Sequence, residues 1–158
     1  MNSEHLLLQI GSHKTLTVAQ KKLKVVGYPK EGAPVSKMPQ ITQAHIQTYL
    51  ETIPALKPCW GIPYVHIALI LKRGKLLAWG TNQYSSRKEG CGSDTYSLHA
   101  EAAVIKRLGN KQHLRGAVLV VVRQGAVSLI NSEPCDVCKC RLEKHIREDG
   151  LRAVYYSP

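Results

Sequence analysis

The sequence predicts an α/β fold in which helices cover both faces of a mixed sheet, and three observations carry that expectation. Ala117–Val122 is almost wholly aliphatic, the pattern of a strand buried on both sides of a sheet. Two apolar runs, Tyr64–Leu71 and Leu76–Asn82, flank Lys72-Arg73-Gly74-Lys75. Gly74 can take the positive φ of a tight turn, so these runs read as a β-hairpin. The later strands are separated by segments of helical period, and right-handed crossovers make that part of the sheet parallel.

Along the chain, the densest loop signal is Tyr28-Pro29-Lys30-Glu31-Gly32-Ala33-Pro34, with Pro39 just beyond. It sets residues 1–39 apart as an appendage to a core domain of residues 40–158. Within the appendage, Leu16 to Val26 reads as a short helix stopped by Gly27. Ile46, Tyr49, Leu50 and Ile53 follow helical spacing in a segment that begins at Ile41 and is closed by Pro54. The hairpin follows, then a polar, glycine-containing loop from Ser85 to Thr95. Ser97 is placed to cap a helix from Leu98 to Leu108, with Leu98, Ala102, Ile105 and Leu108 on one face and Gly109 at its end. After the aliphatic strand, Asn131 or Ser132 caps another helix, Pro134 falls in its first turn and Gly150 stops it. Ala153–Tyr156 is the last strand.

A chain of 158 residues suits one domain, and 44% apolar content is ordinary for a folded protein. The net charge of +11 is spread along the chain, which favours a polyanionic partner such as a nucleotide or nucleic acid over a purely solubilising role. No window approaches the roughly 18 apolar residues of a membrane helix, and Leu6-Leu7-Leu8 is too short for a signal peptide core. A cytoplasmic or nuclear protein without a membrane partner is the expectation. Three of the five cysteines crowd into Cys135, Cys138 and Cys140. Such clustering without a secretion signal points to a metal, not to disulfides. Cys59 and Cys91 stand alone and read as small buried hydrophobes.

The chemistry is concentrated in His99-Ala100-Glu101 and Pro134-Cys135-Asp136-Val137-Cys138. Each motif falls at the start of a predicted helix, where unpaired N–H groups and the positive dipole end favour thiolates. Cys135 and Cys138, three apart, share a helix face. With His99 they make three metal ligands and leave a fourth tetrahedral position for water, the pattern of a catalytic zinc. Cys140 points about 160° away from Cys138 on a helix, which argues against a fourth cysteine ligand. Glu101 is not needed as a ligand, so its carboxylate is available to carry protons.

This pairing of His-x-Glu with Pro-Cys-x-x-Cys is a signature of zinc deaminases, and Tyr64–Tyr156 resembles the cytidine-deaminase superfamily in motifs and in element order. That superfamily includes free-nucleoside, deoxycytidylate, polynucleotide cytidine and tRNA adenosine deaminases. The resemblance implies a three-layer fold, a zinc cofactor and hydrolytic loss of an exocyclic amine. Gly80-Thr81-Asn82 matches the family's Gly-x-Asn, which implies that Asn82 contacts the substrate sugar. It also implies that Ala100, Pro134 and Cys135 lie beside the base. The stretches Asn131–Cys135 and Val154–Ser157 resemble poorly characterised members from microbes and large viruses. In two respects the chain departs from the family: no fifth strand follows Tyr156, and residues 1–39 lie outside the family core. Those residues are left to complete the sheet, cover the site or bind substrate.

The expectation is therefore a zinc-dependent deaminase acting on cytosine in a nucleotide or single-stranded nucleic acid, with homo-oligomers common in such a family. Alternatives are adenine in RNA, a free nucleoside, or a non-catalytic nucleic-acid-binding module that keeps zinc for stability. Outside the motifs, His66 reads as a satisfied core residue, and His113 and His145 as surface or cap residues. Asp94, Tyr96 and Arg123 are open between substrate contact and ordinary loop or surface roles.

Overall fold

A computed structural model gives the fold and describes residues 23–26, 41–53, 65–84, 97–124 and 129–158. The strands are β1 (Lys24–Val26), β2 (His66–Lys72), β3 (Lys75–Thr81), β4 (Gln83–Tyr84), β5 (Ser97–Leu98), β6 (Val118–Gln124), β7 (Leu129–Ile130) and β8 (Ala153–Tyr156). The helices are α1 (Gln43–Thr52), α2 (Ala100–Leu108) and α3 (Asp136–Glu148), with a 3-10 turn at Lys111–Leu114. The main sheet runs β1-β8-β6-β2-β3, with β7 also on β6, and β4 pairs with β5 in a separate ribbon.

The sheet is mixed. β2 and β3 form the expected antiparallel hairpin, turning through Arg73 and Gly74, both at positive φ. β6 is antiparallel to β2, while β6 and β8 are parallel, as their connection through α3 requires. Alternation along the strands divides the core in two. Ala68, Ile70, Leu119, Val121 and Val154 pack with Val104 of α2 and Leu142 of α3, whereas Ile67, Leu69, Val118, Val120 and Tyr155 pack with Ile46 of α1. The result is three layers, with α1 on one face and α2 and α3 on the other. Every residue of β6 from Val118 to Val122 is buried, which accounts for its unbroken aliphatic run.

Three boundaries differ from the sequence reading. The end of the expected Leu16–Val26 helix is β1, antiparallel to β8. Two successive β-branched residues suit an edge strand, and β8 would otherwise expose its backbone donors and acceptors. Part of residues 1–39 thus belongs to the core sheet, in the position after the final strand of the chain. Ser97 and Leu98 form a strand with Tyr84 and Gln83, so the cap of α2 moves to His99. The third helix begins at Asp136, three residues later than a Ser132 cap would place it, with Cys135 as its N-cap and Pro134 outside its first turn. Gly109 and Gly150, both at positive φ, end α2 and follow α3 as the sequence predicts. The Ser85–Thr95 loop, Asp94, Tyr96, Cys59 and Cys91 lie outside the described residues. Among the described residues, no helix is long and apolar enough to cross a membrane.

Candidate metal centre

His99, Cys135 and Cys138 come together at the ends of β6 and β8, between the N-termini of α2 and α3. Their ligand atoms all lie within 4.8 Å of one another. His99 Nδ1 is 3.5 Å from Cys135 Sγ and 3.4 Å from Cys138 Sγ. A tetrahedral zinc, about 2.3 Å from sulfur and about 2.1 Å from nitrogen, separates such atoms by about 3.6 Å. The spacing and the donor set therefore fit a metal of that size and geometry. Cys138 is buried, while Cys135 and Cys140 are exposed, and Cys140 is not in the cluster.

The two ligand-bearing helices share an unusual start. An N-cap is ordinarily Ser, Thr, Asp or Asn, whose side chain bonds back to the helix. Here the N-caps are His99 and Cys135, both in extended conformation, and neither makes a side-chain cap bond. Their side chains turn towards each other instead. The positive ends of both helix dipoles thus face the sulfurs.

Glu101, two residues past His99, is 6% exposed. Burial raises its pKa, with its own backbone N–H, the His99 charge and the Cys138 thiol pulling the other way. A carboxyl group held above its ordinary range beside a metal ligand set is suited to taking and returning a proton.

Each arm of the centre is anchored from behind. Gly80 of β3 lies so close to α2 that a Cβ there would stand 2.7 Å from the Val104 backbone nitrogen. The Gly80 of the Gly-x-Asn motif therefore lets α2 seat against the sheet. The Cys135 arm depends on two buried serines. Ser132 Oγ donates to the Val121 carbonyl at 2.8 Å and accepts from the Ser157 N–H at 2.9 Å. Ser157 Oγ lies 2.8 Å from Ser132 Oγ and donates to the Ile130 carbonyl at 2.6 Å. Asn131 Oδ1 accepts from the Glu133 N–H, and Glu133 pairs with Lys139 at 2.8 Å, tying the loop to the first turn of α3.

The remaining predicted residues are distributed around this frame. Asn82 follows β3, and its Oδ1 accepts the His66 N–H at 2.8 Å while its own N–H donates to the His66 carbonyl. Ala100 is fully buried in the core, so only its backbone can meet a ligand. Pro134 is buried next to Cys135. His66 is not the enclosed core residue its pattern suggests. It is half-buried at the start of β2, opposite Arg123, and its pKa is lowered by burial and by the charges of Arg123 and His99. His145 is half-buried too, with Nδ1 2.6 Å from Asp149 Oδ2, whereas His113 is exposed. Comparison with family models, curated proteins and solved structures finds no match for this chain.

Proposed function

We propose that the protein is a zinc-dependent hydrolytic deaminase that converts cytosine to uracil in a nucleotide or single-stranded nucleic acid. One observation carries the reading: a buried carboxylate, Glu101, stands beside a His/Cys/Cys set that leaves one tetrahedral position for a non-protein ligand. A purely structural zinc would have no use for that carboxylate, which weighs against the non-catalytic module. Zinc in such a site makes water a nucleophile near neutral pH.

In the proposed reaction, Glu101 accepts a proton from the attacking water and delivers it to the ring nitrogen. The water oxygen bonds to the amine-bearing ring carbon; Glu101 then takes the remaining proton of the added hydroxyl to the amine, and ammonia leaves as the C–N bond breaks and the carbonyl forms. The backbone at Ala100 and Cys135, with Pro134, would border the base, and Asn82 would face the sugar. The charge of +11 favours a phosphate-bearing substrate over a free nucleoside. Adenine in RNA is the second reading, since the same ligands and carboxylate serve attack on either ring.

The test is deamination, followed by mass, of cytidine, deoxycytidine, their monophosphates, single-stranded DNA and RNA. Efficiency should rise from nucleoside to monophosphate to oligonucleotide. Glu101→Ala should keep fold and zinc while turnover falls by roughly 10²–10⁴. A folded, zinc-loaded Glu101→Ala protein with near wild-type turnover would overturn the assignment.

A further inference from the structure

The opposite end of the sheet has its own cleft. Three turns meet there, at Arg73-Gly74 before β3, Arg115-Gly116 before β6 and Gly150-Leu151-Arg152 before β8. With α1 they enclose a space of about 320 Å³, within the usual size of a small-molecule site. Its walls include Tyr49 and the cross-strand pair Leu71 and Val118. Leu71 is five residues along β2 from His66, so about 17 Å of strand separates the cleft from the metal end.

Among the described lining residues, the permanently charged ones are Arg73 and Arg152, from different turns, with His45 of α1 beside them. Arg73 is the sole non-glycine residue at positive φ among those described, at 51°. It occupies the first position of a two-residue hairpin turn, where Asn, Asp or Gly is the favoured choice. A guanidinium kept at a backbone position that disfavours it suggests a use for that group. The turn is also fixed in place: the Tyr49 hydroxyl donates to the Gly74 carbonyl at 2.6 Å, tying α1 to it.

We propose that this cleft binds a phosphate monoester on an apolar or aromatic body. A carboxylate is satisfied bidentately by one guanidinium, whereas a tetrahedral phosphate can engage two guanidiniums from different directions. The apolar body would lie against Leu71, Val118 and Tyr49. This site is separate from the metal centre and does not rest on the deaminase reading.

The experiment is amide NMR on the full zinc-loaded chain, titrated separately with phenyl phosphate, inorganic phosphate and benzoate. Phenyl phosphate should give saturable shifts at Gly74 and Gly116, at about tenfold lower concentration than either other probe. Arg73→Asn suits the turn and should leave the thermal midpoint unchanged or raised, while phenyl phosphate binding weakens about tenfold or more. Undiminished binding by that variant would overturn the proposal. So would shifts confined to the surroundings of His99 and Cys138, no saturable shift at all, or phenyl phosphate binding no tighter than inorganic phosphate.

Discussion

The His99 arm and the cysteine arm of the candidate metal centre converge on one point but are held by different forces. Helix α2 is fixed by contact, its backbone at Val104 lying against Gly80 and its buried side chains filling the core beside Leu119 and Val121. The loop before α3 is fixed by hydrogen bonds, through Ser132 and Ser157 to the ends of β6 and β8. Close contact cannot absorb an added atom without moving the helix. A network can lose one bond and keep others, because Ser157 N–H also reaches the Val121 carbonyl at 3.2 Å. The two arms should therefore fail in different ways.

The largest effect is expected at the contact. In Gly80→Ala the new Cβ meets backbone atoms, 2.7 Å from Val104 N and 3.0 Å from Val104 Cα, so no side-chain rotation can relieve it. Overpacking of this kind costs about 1–3 kcal/mol, or a fall of up to about 10 °C in thermal midpoint for a domain of this size. Displacing α2 also carries His99 away from the cysteines, so metal affinity should drop in parallel. An unchanged midpoint and an unchanged zinc titration would show that packing does not set the position of α2.

A smaller effect is expected in the network. Ser132→Ala removes the donor to Val121 O and the acceptor that serves Ser157, at a cost of about 1–2 kcal/mol. Because α2 is untouched, zinc should still bind at saturation, with affinity weakened less than in Gly80→Ala. If Ser132→Ala loses zinc more readily than Gly80→Ala, the comparison of the two arms is reversed.

Much of this was legible in the sequence, and what escaped has a physical cause. Helical spacing identified α1, and apolar runs bounded by turn signals identified the β2–β3 hairpin, β6 and β8. The motif spacing brought His99, Cys135 and Cys138 together, and the angle on a helix set Cys140 aside. The short elements were missed. β1 and β5 have three and two residues, too few to show a period, and their pairing partners are distant in sequence. The helix starts were misplaced because the rule for N-caps seeks a side chain that bonds back to its helix, whereas His99 and Cys135 serve each other. Ser132 read as a helix cap and Ser157 had no signal of its own; their shared role depends on a meeting across 25 residues. Gly80 was visible as part of a motif, but the reason for it is the approach of α2.

The smallest effect concerns His66, which lies at the strand end beside both arms and distinguishes local electrostatics from packing. Burial, then Arg123, then His99 lower its pKa from the ordinary value of 6.5, so the folded protein prefers the neutral ring. The unfolded chain takes up a proton near pH 6.5 while the folded chain resists until a lower pH. Stability from this residue is thus complete above about pH 6.5 and is lost as pH falls from there through the folded value. His66→Gln removes the titrating group but leaves the backbone bond to Asn82 Oδ1, which uses the His66 N–H. Measured with saturating zinc, the thermal midpoint of the variant should fall less steeply than wild type below pH 6.5. The difference should be about a degree or two, since the side chain is only half-buried and water screens part of the penalty. Comparing the two proteins cancels any pH effect common to both. Parallel pH profiles would mean that neither burial nor the charges of Arg123 and His99 penalise the protonated ring at the start of β2, leaving contact and hydrogen bonding as the forces that define this end of the sheet.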